Sequence, residues 1–481
     1  MHQRLRVTRR TMTLAFDLFA HARGSVVAPA GCGKTQAIVD AMKTYDGLPV
    51  LILTHTNAGV GALRERLKTA AIPKSRIRLA TLDGWAMRLV ASFPGLSGVV
   101  LDKAGAINYP AIRRGALRVL ASDGLDAPLK ASYARLIVDE HQDCSIDQHA
   151  LTVALAARLP TVVLGDPLQR IFDFKPGELP DWDSVVVTDF PVVATFSTPW
   201  RWNNAGEPDF GTWVLDARNR LLAGGALDLS SAPANVRWVK KGSDAASIPL
   251  VQRGAVAAVK PGPKEGLLVI GDSRSRDSRS KFARGAAGMT VVEPVDLGDM
   301  IEAAAAIERS EGVKRLGATL NFAKATMTGV DIEAMATRLT SLAKGSARSS
   351  ATVGETACLA TLADDGYAAM ATVLETLPQE NRRVFRRQMH AGMVEALKRA
   401  AARPGLGLAE AAVAVREQYR AVGRVLPTRA VGSTLLLKGL EAEHAVILDA
   451  DAMNPRHLYV ALSRASRSVT VISSSQILTP K

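Results

Sequence analysis

The chain of 481 residues is poor in cysteine and in aromatic residues, and it lacks long apolar runs. Its three cysteines, Cys32, Cys144 and Cys358, lie far apart and match neither a zinc-binding spacing nor a disulfide framework. No stretch reaches the ~18–20 uninterrupted apolar residues of a membrane span, and no apolar signal-peptide core follows the basic residues 1–10. These absences favour a protein of the reducing cytoplasm that does not contact a membrane.

Basic residues are in surplus, because 60 lysines and arginines stand against 46 aspartates and glutamates, a formal charge of +14. A surplus of this size indicates an anionic partner, with nucleic acid as the first candidate. A globular protein that is merely basic is the alternative. The hydrophobic content of 47% and the charged content of 22% are those of a globular chain.

Seven apolar runs are typical of buried strands, and each is followed by a polar or glycine-rich loop. They are residues 25–30, 49–56, 134–140, 161–166, 266–272, 444–451 and 468–473. Helical patterns lie between most of them, which predicts an α/β fold with parallel sheets covered on both faces. Residues 86–134 and the alanine-rich residues 300–420 lack this alternation, and we expect them to be helical insertions. Ligands of such sheets bind at the carboxyl ends of the strands.

The first run continues into SVVAPAGCGKT (25–35), a pattern typical of a phosphate-binding loop. Glycines permit a tight loop, backbone N–H groups and a helix N-terminus would hold phosphates, and Lys34 would reach the β- and γ-phosphates while Thr35 coordinates Mg²⁺. Ala28 replaces the usual first glycine, and a chance Gly-Lys-Thr after a strand is the alternative. The predicted nucleotide-binding residues here are Ala30, Gly31, Cys32, Gly33, Lys34 and Thr35.

Two further strands end in polar residues that suit the same chemistry. RLIVDEHQDCS (135–145) ends a buried run on adjacent carboxylates, so Asp139 is predicted to bind the metal and Glu140 to polarise the attacking water. A surface acidic turn is the alternative. TVVLGDPLQRIF (161–172) places Gln169 where it would sense the γ-phosphate. Phe172 and Phe174 could stack on bases, although ordinary core packing explains them equally well.

These motifs, together with STLLLKGLE (433–441) and HLYVALSRA (457–465), resemble those of superfamily 1 helicases of the UvrD/Rep type in order and spacing. The resemblance covers well over half of the chain but not the 300–420 insertion. It implies two RecA-like P-loop NTPase cores that clamp ATP and Mg²⁺. The implied domains are a first core at 1–193 with an insertion at about 86–134, a second core at 194–300 and 421–481, and a helical subdomain at 301–420.

The resemblance also implies roles for individual residues. Arg201 in STPWRW (197–202) and Arg464 resemble arginine fingers that the second core lends to the nucleotide, with a structural salt bridge as the alternative. Glu441 resembles a residue that contacts the nucleotide sugar and couples to DNA. The implied DNA contacts are phosphate donors at Thr54, Asn57 and Thr81 and a stacking platform at Trp85, for which core packing is the alternative.

The implied function is an ATP-dependent DNA helicase or translocase that binds single-stranded or tailed duplex DNA and moves 3′→5′. A nucleotide-sensing regulatory ATPase that activates an OLD-type partner nuclease, as in Gabija-type anti-phage systems, is the alternative. A nucleotide-binding protein without hydrolysis is a third possibility, which the full set of motif residues argues against. Asp83 and Leu435 replace histidines that are frequent in the family, which predicts weak coupling to DNA.

Two basic clusters remain outside these motifs, and both are more often solvated surfaces than binding sites. The first lies in residues 272–285, which are predicted to be a loop, and consists of Arg274, Arg276, Arg279, Lys281 and Arg284. The second is predicted to form one side of a helix that contacts duplex DNA or a protein, and consists of Arg382, Arg383, Arg386 and Arg387.

The first testable prediction concerns base selectivity. The family usually carries a glutamine about twenty residues before the phosphate loop, where it reads adenine. The residue 21 positions before Lys34 is Thr13, and the only glutamine upstream is Gln3. We therefore expect similar hydrolysis rates with ATP, GTP and CTP in a steady-state phosphate-release assay. Strict dependence on ATP would contradict this expectation.

Overall fold

A computed structural model of the protein describes residues 16–100, 107–172, 178–422 and 427–480. The chain divides into two units. It passes from unit 1 to unit 2 between Trp238 and Val239, and unit 1 also includes Ala450–Val469 and the residues from Ser475 onward. The sequence prediction placed the end of the first core at residue 193 instead. The difference arises because later residues bond to unit 1: the Arg201 N–H donates to the Gly31 carbonyl oxygen, and Arg218 donates to Asp166.

Unit 1 is built on a six-stranded sheet with the order β3-β2-β4-β5-β1-β6. All of its neighbouring strands are parallel. The strands are β1 (Arg23–Val27), β2 (Val50–Thr54), β3 (Ile77–Thr81), β4 (Arg135–Asp139), β5 (Thr161–Gly165) and β6 (Val192–Thr195). The carboxyl ends of all six strands therefore meet at one edge of the sheet.

Helices cover both faces of this sheet because its central strands are apolar on both sides. Leu51 and Leu53 of β2 contact one apolar cluster, and Val50 and Ile52 contact the other, as the two-residue period of a strand requires. The helices are α1 (Lys34–Thr44), α2 (Asn57–Thr69), α3 (Leu82–Ser92), α4 (Pro94–Ser97), α5 (Tyr109–Leu120), α6 (Asp126–Ser132), α7 (Ile146–Ala156), α8 (Val187–Asp189), α9 (Trp200–Ala205) and α10 (Pro208–Leu222).

A second six-stranded sheet has the order β10-β11-β9-β12-β13-β8, and its ladders between β10, β11, β9 and β12 are parallel. Leu267, Val269, Val431 and Val446 form the apolar cluster on one of its faces. A two-stranded antiparallel sheet joins β7 and β14. The strands are β7 (Leu227–Asp228), β8 (Val236–Lys240), β9 (Leu267–Ile270), β10 (Thr290–Val291), β11 (Arg429–Gly432), β12 (Ala442–Ile447), β13 (Ala465–Ser473) and β14 (Ile477–Leu478).

Most of the remaining helices form a bundle within unit 2 around one apolar cluster. Glu308 at the end of α13 accepts hydrogen bonds from the backbone N–H groups of Leu408 and Ala409, 3.0 and 3.3 Å away, and so caps α19. The remaining helices of the chain, of which α21 belongs to unit 1, are α11 (Ser247–Ala258), α12 (Arg276–Gly285), α13 (Gly298–Glu308), α14 (Gly312–Thr326), α15 (Ile332–Ala343), α16 (Val353–Ala360), α17 (Tyr367–Thr376), α18 (Arg387–Ala402), α19 (Leu408–Val422), α20 (Thr434–Leu437) and α21 (Pro455–Leu462).

The α/β fold class is confirmed, since each of the seven predicted runs overlaps a strand of one of the two six-stranded sheets. The prediction missed five strands of these sheets, namely β3, β6, β8, β10 and β11. These strands are short or carry polar residues at alternate positions, so they give little continuous apolar signal. None of the described helices is long and apolar enough to cross a membrane.

Both predictions about the basic clusters are wrong. Residues 276–285 form α12 rather than a loop, and Arg279 is buried there with its guanidinium donating to the Asp272 carbonyl oxygen. In the second cluster the helix begins only at Arg387. Arg383 donates to backbone carbonyls, including that of Met289 at 2.6 Å. These arginines satisfy internal acceptors, which leaves no common helical face of four exposed guanidiniums.

A buried ion cluster joins the helical bundle of unit 2 to its sheet. Arg386 donates two hydrogen bonds to Glu293, at 2.8 and 2.7 Å, and a third to Asp299 at 2.8 Å. Glu293 is buried directly after β10, and Asp299 lies in the first turn of α13. These attractions outweigh the effect of burial and raise the pKa of Arg386 above its usual value.

The second testable prediction concerns this cluster. We expect Arg386→Ala to lower the free energy of unfolding by about 3–5 kcal/mol, because Glu293 would remain as an unpaired buried charge. Urea denaturation followed by circular dichroism measures the change. The control is Arg387→Ala, which removes an exposed neighbour and is expected to stay within about 0.5 kcal/mol of the parent. Equal transition midpoints for the two variants would contradict the assignment.

Candidate functional site

The loop between β1 and α1 has the backbone of a phosphate cradle. Gly31 (φ 72°) and Gly33 (φ 95°) occupy the left-handed region that favours glycine. A Cβ atom at Gly31 would lie 2.7 Å from the ring of Trp202 and 2.9 Å from Cβ of Arg201. The loop therefore needs glycine for its shape and for the close approach of α9. Because α1 begins at Lys34, its first amides point toward the loop.

Lys34 and Glu140 form an ion pair across the carboxyl edge of the sheet, with 3.0 Å between Nζ and Oε1. Lys34 is 8% exposed. Burial alone would lower the pKa of Lys34, but the negative charges of Glu140, Asp139 and Asp166 outweigh it and raise that pKa above its usual value. The lysine is therefore a permanent cation in a site where carboxylates outnumber it.

Asp139 ends β4, and burial, followed by the neighbouring charge of Glu140, raises the pKa of Asp139 to about 7. Thr54 lies beside it at the end of β2, in register across the ladder. The Thr54 hydroxyl is buried, and no described residue pairs with it. The carboxylate and hydroxyl oxygens at this edge, together with the raised pKa of Asp139, fit a hard divalent cation that is held through its waters. Among the described residues no group of three or more His, Cys, Asp or Glu side chains is placed to hold a metal directly.

Glu140 adopts a left-handed backbone conformation (φ 57°), which costs a residue with a side chain about 1–3 kcal/mol. Several hydrogen bonds hold it there. Its N–H donates to Asp139 Oδ1 at 3.0 Å, its carbonyl oxygen accepts from the Asp143 N–H at 3.1 Å, and its Oε2 accepts from Gln142 Nε2 at 2.5 Å. Such a conformation persists only where surrounding contacts impose it, and such positions cluster at functional sites.

Asp166, directly after β5, is fully buried and is the centre of a hydrogen-bond network. Its Oδ1 accepts from Arg218 at 3.1 Å (Nε) and 2.8 Å (Nη2), and its Oδ2 accepts from Gln169 at 3.0 Å and from the Tyr459 hydroxyl at 2.9 Å. The Tyr459 hydroxyl in turn accepts from the N–H of Ala30 at 2.9 Å. The network thus links the predicted γ-phosphate sensor to the phosphate loop.

Sequence reasoning missed Asp166, Arg218 and Tyr459. The signal for Asp166 was present, because it is a carboxylate at the end of a third buried strand. Arg218 and Tyr459 lie 52 and 293 residues from Asp166 along the chain, so no local pattern connects them. Burial and the charge of Asp166 raise the pKa of Tyr459 well above its usual value, which keeps its hydroxyl a neutral donor.

Arg201 and Arg464 both lie in unit 1, the unit that carries the phosphate loop. This differs from the prediction that the second core lends them, because α9 and α21 pack onto unit 1. The Arg201 N–H donates to the Gly31 carbonyl oxygen at 3.1 Å, and its guanidinium donates to the Ser463 carbonyl oxygen. Arg464 is buried, and its guanidinium donates to the Val460 carbonyl oxygen at 2.8 Å and to Ser463 Oγ at 2.9 Å.

Two of the residues predicted to contact DNA are buried in this structure. Trp85 is 6% exposed and packs in the apolar cluster of unit 1 with Val90 and Ile112, as the alternative of core packing predicts. Thr54 ends β2 and is 1% exposed. The sequence pattern did not indicate that these two side chains turn inward.

The other residues predicted from the resemblance are placed as follows. Asn57 is exposed at the start of α2, and Thr81 caps α3 by accepting from the Gly84 N–H at 3.0 Å. Phe172 is half-buried with its ring centroid 5.9 Å from that of His55. Glu441 is exposed in unit 2, directly before β12. Thr13, Gln3 and Phe174 lie outside the described residues.

Asp83 has a partner of its own, which accounts for one departure from the family pattern. Its carboxylate accepts two hydrogen bonds from Arg113 of α5, at 2.6 and 2.7 Å. Arg113 also reaches Ser145 Oγ at 3.3 Å, in the segment that follows the acidic motif. Through Arg113, Asp83 therefore links α3 to Ser145, which follows the acidic motif.

Residues 14–175 match a family described as an AAA domain. These residues lie in unit 1 and include the phosphate loop. The chain is similar to two solved structures of the Arterivirus helicase nonstructural protein 10. One, a complex with DNA, has 11% identity and a TM-score of 0.34 over 94% of this chain and 61% of that chain. The other has 10% identity and a TM-score of 0.31 over 94% and 60%. This chain thus aligns with less than two thirds of each, and no curated protein matches it.

The third testable prediction follows from the raised pKa of Asp139, at the end of β4. Its pKa is about 7 in the folded protein and ordinarily 3.8, so the folded state binds this proton more tightly than the unfolded chain. The resulting stabilisation is fully present below about pH 4 and is lost as the pH rises to about 7. One unit of pKa difference corresponds to about 1.4 kcal/mol.

We therefore expect Asp139→Asn, measured without nucleotide or Mg²⁺, to be more stable than the parent above about pH 7. The gain in the free energy of unfolding should grow between about pH 4 and pH 7, since the amide does not ionise. Urea titrations across this pH range measure the difference in the free energy of unfolding between the variant and the parent. A difference that does not change with pH would show that the Asp139 carboxylate has no unusual proton affinity.

Proposed function

We propose that the protein is a nucleic-acid-dependent NTPase of the superfamily 1 helicase type, which uses ATP hydrolysis to move 3′→5′ along DNA. The observation that carries this proposal is the cluster of Lys34, Glu140 and Asp139 beside the phosphate loop, with Lys34 and Glu140 3.0 Å apart. A glycine loop, an α-helix N-terminus, a buried lysine and two adjacent carboxylates are the groups that hydrolysis of a nucleoside triphosphate requires.

Each group has a proposed task. Backbone N–H groups from Ala30 to Thr35 and the Lys34 ammonium would bind the phosphates, and Lys34 would then exchange Glu140 for a phosphate oxygen. Glu140, once released, would accept a hydrogen bond from the attacking water and orient it. Thr35 and Asp139 would hold Mg²⁺, which supplies charge neutralisation to the phosphates when bound.

Gln169 is proposed to sense the γ-phosphate, and its bond to Asp166 fixes where its amide can point. Arg201 and Arg464 are proposed to stabilise the charge that develops during phosphoryl transfer. Arg201 already lies against the phosphate loop through its bond to the Gly31 carbonyl oxygen. Arg464 would have to release Val460 and Ser463 before it could reach a phosphate. Glu441 is proposed to contact the nucleotide sugar.

DNA is the proposed partner because the chain carries a formal charge of +14. Asn57, Thr81 and Phe172 remain the proposed contacts to a single strand. The first two would bind phosphates and the third would stack on a base. Binding of this kind depends on salt and does not choose a sequence, so a tailed duplex of any sequence serves as substrate.

The fourth testable prediction is the assay of this function. We expect hydrolysis that single-stranded DNA stimulates, and displacement of a strand from a 3′-tailed duplex. Lys34→Ala should abolish both, while Arg201→Ala should lower kcat by about 10³–10⁵-fold. The matched control is Lys43→Ala, which removes an exposed lysine at the other end of α1 and should leave both activities unchanged.

The outcomes separate the alternatives. Unchanged hydrolysis in Lys34→Ala would overturn the site. Hydrolysis that DNA stimulates without any strand displacement would favour the regulatory ATPase that activates a partner nuclease. Displacement from a 5′-tailed duplex alone would contradict the proposed direction.

A further inference from the structure

Three side chains, two of them buried histidines, form a chain of hydrogen bonds behind the acidic motif. His141 Nε2 lies 3.0 Å from Nδ1 of His149 in α7, and His149 Nε2 lies 3.0 Å from Oδ2 of Asp189 at the end of α8. His141 is fully buried and His149 nearly so. Asp189 also contacts β1, the strand before the phosphate loop. Its backbone carbonyl oxygen accepts a hydrogen bond from Nε of Arg23 in β1 at 2.6 Å.

The hydrogen bonds of this chain orient both rings. The Asp189 carboxylate accepts, so His149 Nε2 is the donor of that bond. In the bond between the two rings either His141 Nε2 or His149 Nδ1 can be the donor, because an imidazole nitrogen donates or accepts according to its tautomer. His141 Nδ1 is buried without a hydrogen-bond partner among the described residues. The Asp189 carboxylate thus holds the His149 ring, and the His149 ring holds that of His141.

His141 directly follows Glu140 and begins the turn His141–Asp143. The backbone bonds of this turn stay within it, since Asp143 donates to Glu140 and Cys144 donates to His141. Two of its side chains tie the turn to the rest of unit 1. Gln142 accepts from the N–H of Asp166 at 3.2 Å, and His141 bonds His149 of α7, which in turn bonds Asp189 of α8. The His141 ring is therefore one of the contacts that position the Glu140 backbone.

We propose that His141, His149 and Asp189 form a positioning relay that holds the Glu140 carboxylate where it orients the attacking water. This inference rests on the proposed function, in which Glu140 acts on the water of NTP hydrolysis. The relay does not touch the nucleotide, so it acts on the rate of the chemical step and not on nucleotide affinity. Carboxylate–histidine pairs in metal sites orient the side chains that bind the metal in a similar way.

Packing alone does not account for the relay. His141 lies among aromatic rings, with centroid distances of 5.9 Å to Phe190 and 6.4 Å to Trp182, where an apolar side chain would fill the same space. A histidine there keeps a buried ring nitrogen, Nδ1, without a described partner, and such a polar atom destabilises the fold. A polar network that fixes a single orientation is consistent with that cost.

The fifth testable prediction compares His149→Ala and Asp189→Ala with the parent protein. We expect kcat for NTP hydrolysis to fall by about 10–100-fold, with the Kd for a fluorescent ATP analogue unchanged. Asp189 is partly exposed, so its alanine variant keeps the protein folded if the buried His149→Ala does not. The matched control is His444→Ala, which removes a histidine–carboxylate pair of the same 3.0 Å length in unit 2 and should leave kcat unchanged.

Glu140→Gln is measured in parallel to separate the two proposals. If Glu140→Gln lowers kcat and the relay variants do not, the relay is overturned and the proposed function stands. If the relay variants change Kd as much as kcat, the three residues have a merely structural role and the relay is again overturned. If Glu140→Gln leaves kcat unchanged, the proposed function fails and the relay fails with it.

Discussion

Buried charges at the carboxyl edge of the first sheet are the constraint on which the rest of unit 1 depends. Asp139 and Asp166 are buried at the ends of β4 and β5, and Lys34 is buried at the start of α1, which follows β1. The partly exposed Glu140 lies beside them, because a parallel sheet brings these strand ends together. Removing so many charges from water is unfavourable unless each has a partner. Lys34 pairs with Glu140 and Arg218 pairs with Asp166, while the pKa of Asp139 rises to about 7.

The partners of these charges come from distant parts of the chain, which explains why those parts pack together in unit 1. Arg218 comes from α10 and Tyr459 from α21, and both end on Asp166. His141 bonds His149 of α7, and His149 bonds the Asp189 carboxylate at the end of α8. Each contact satisfies a buried polar group, and each also fixes the orientation of a residue at the proposed reaction site. The same bonds therefore contribute to stability and to the arrangement of the site.

The motifs of the candidate site can be found in the sequence because their residues are local. A glycine loop follows one strand, a pair of carboxylates follows another, and both patterns have fixed spacing. Arg218, Tyr459 and the His141–His149–Asp189 chain could not be predicted, because only the tertiary fold brings them to these strand ends. Trp85 and Thr54 show the converse, since a pattern does not say whether a side chain turns toward solvent or core. The domain boundary at residue 193 is a similar case, because it depends on where α9 and α10 pack.

The central claim is that Lys34 is held by Glu140 until a phosphate takes its place. The most direct test is a structure of the protein with Mg²⁺ and a nonhydrolysable ATP analogue. The account predicts that Lys34 Nζ leaves Glu140 Oε1, now 3.0 Å away, for a phosphate oxygen, and that Asp139 faces the metal. A nucleotide bound elsewhere, with the ion pair between Lys34 and Glu140 intact, would contradict it.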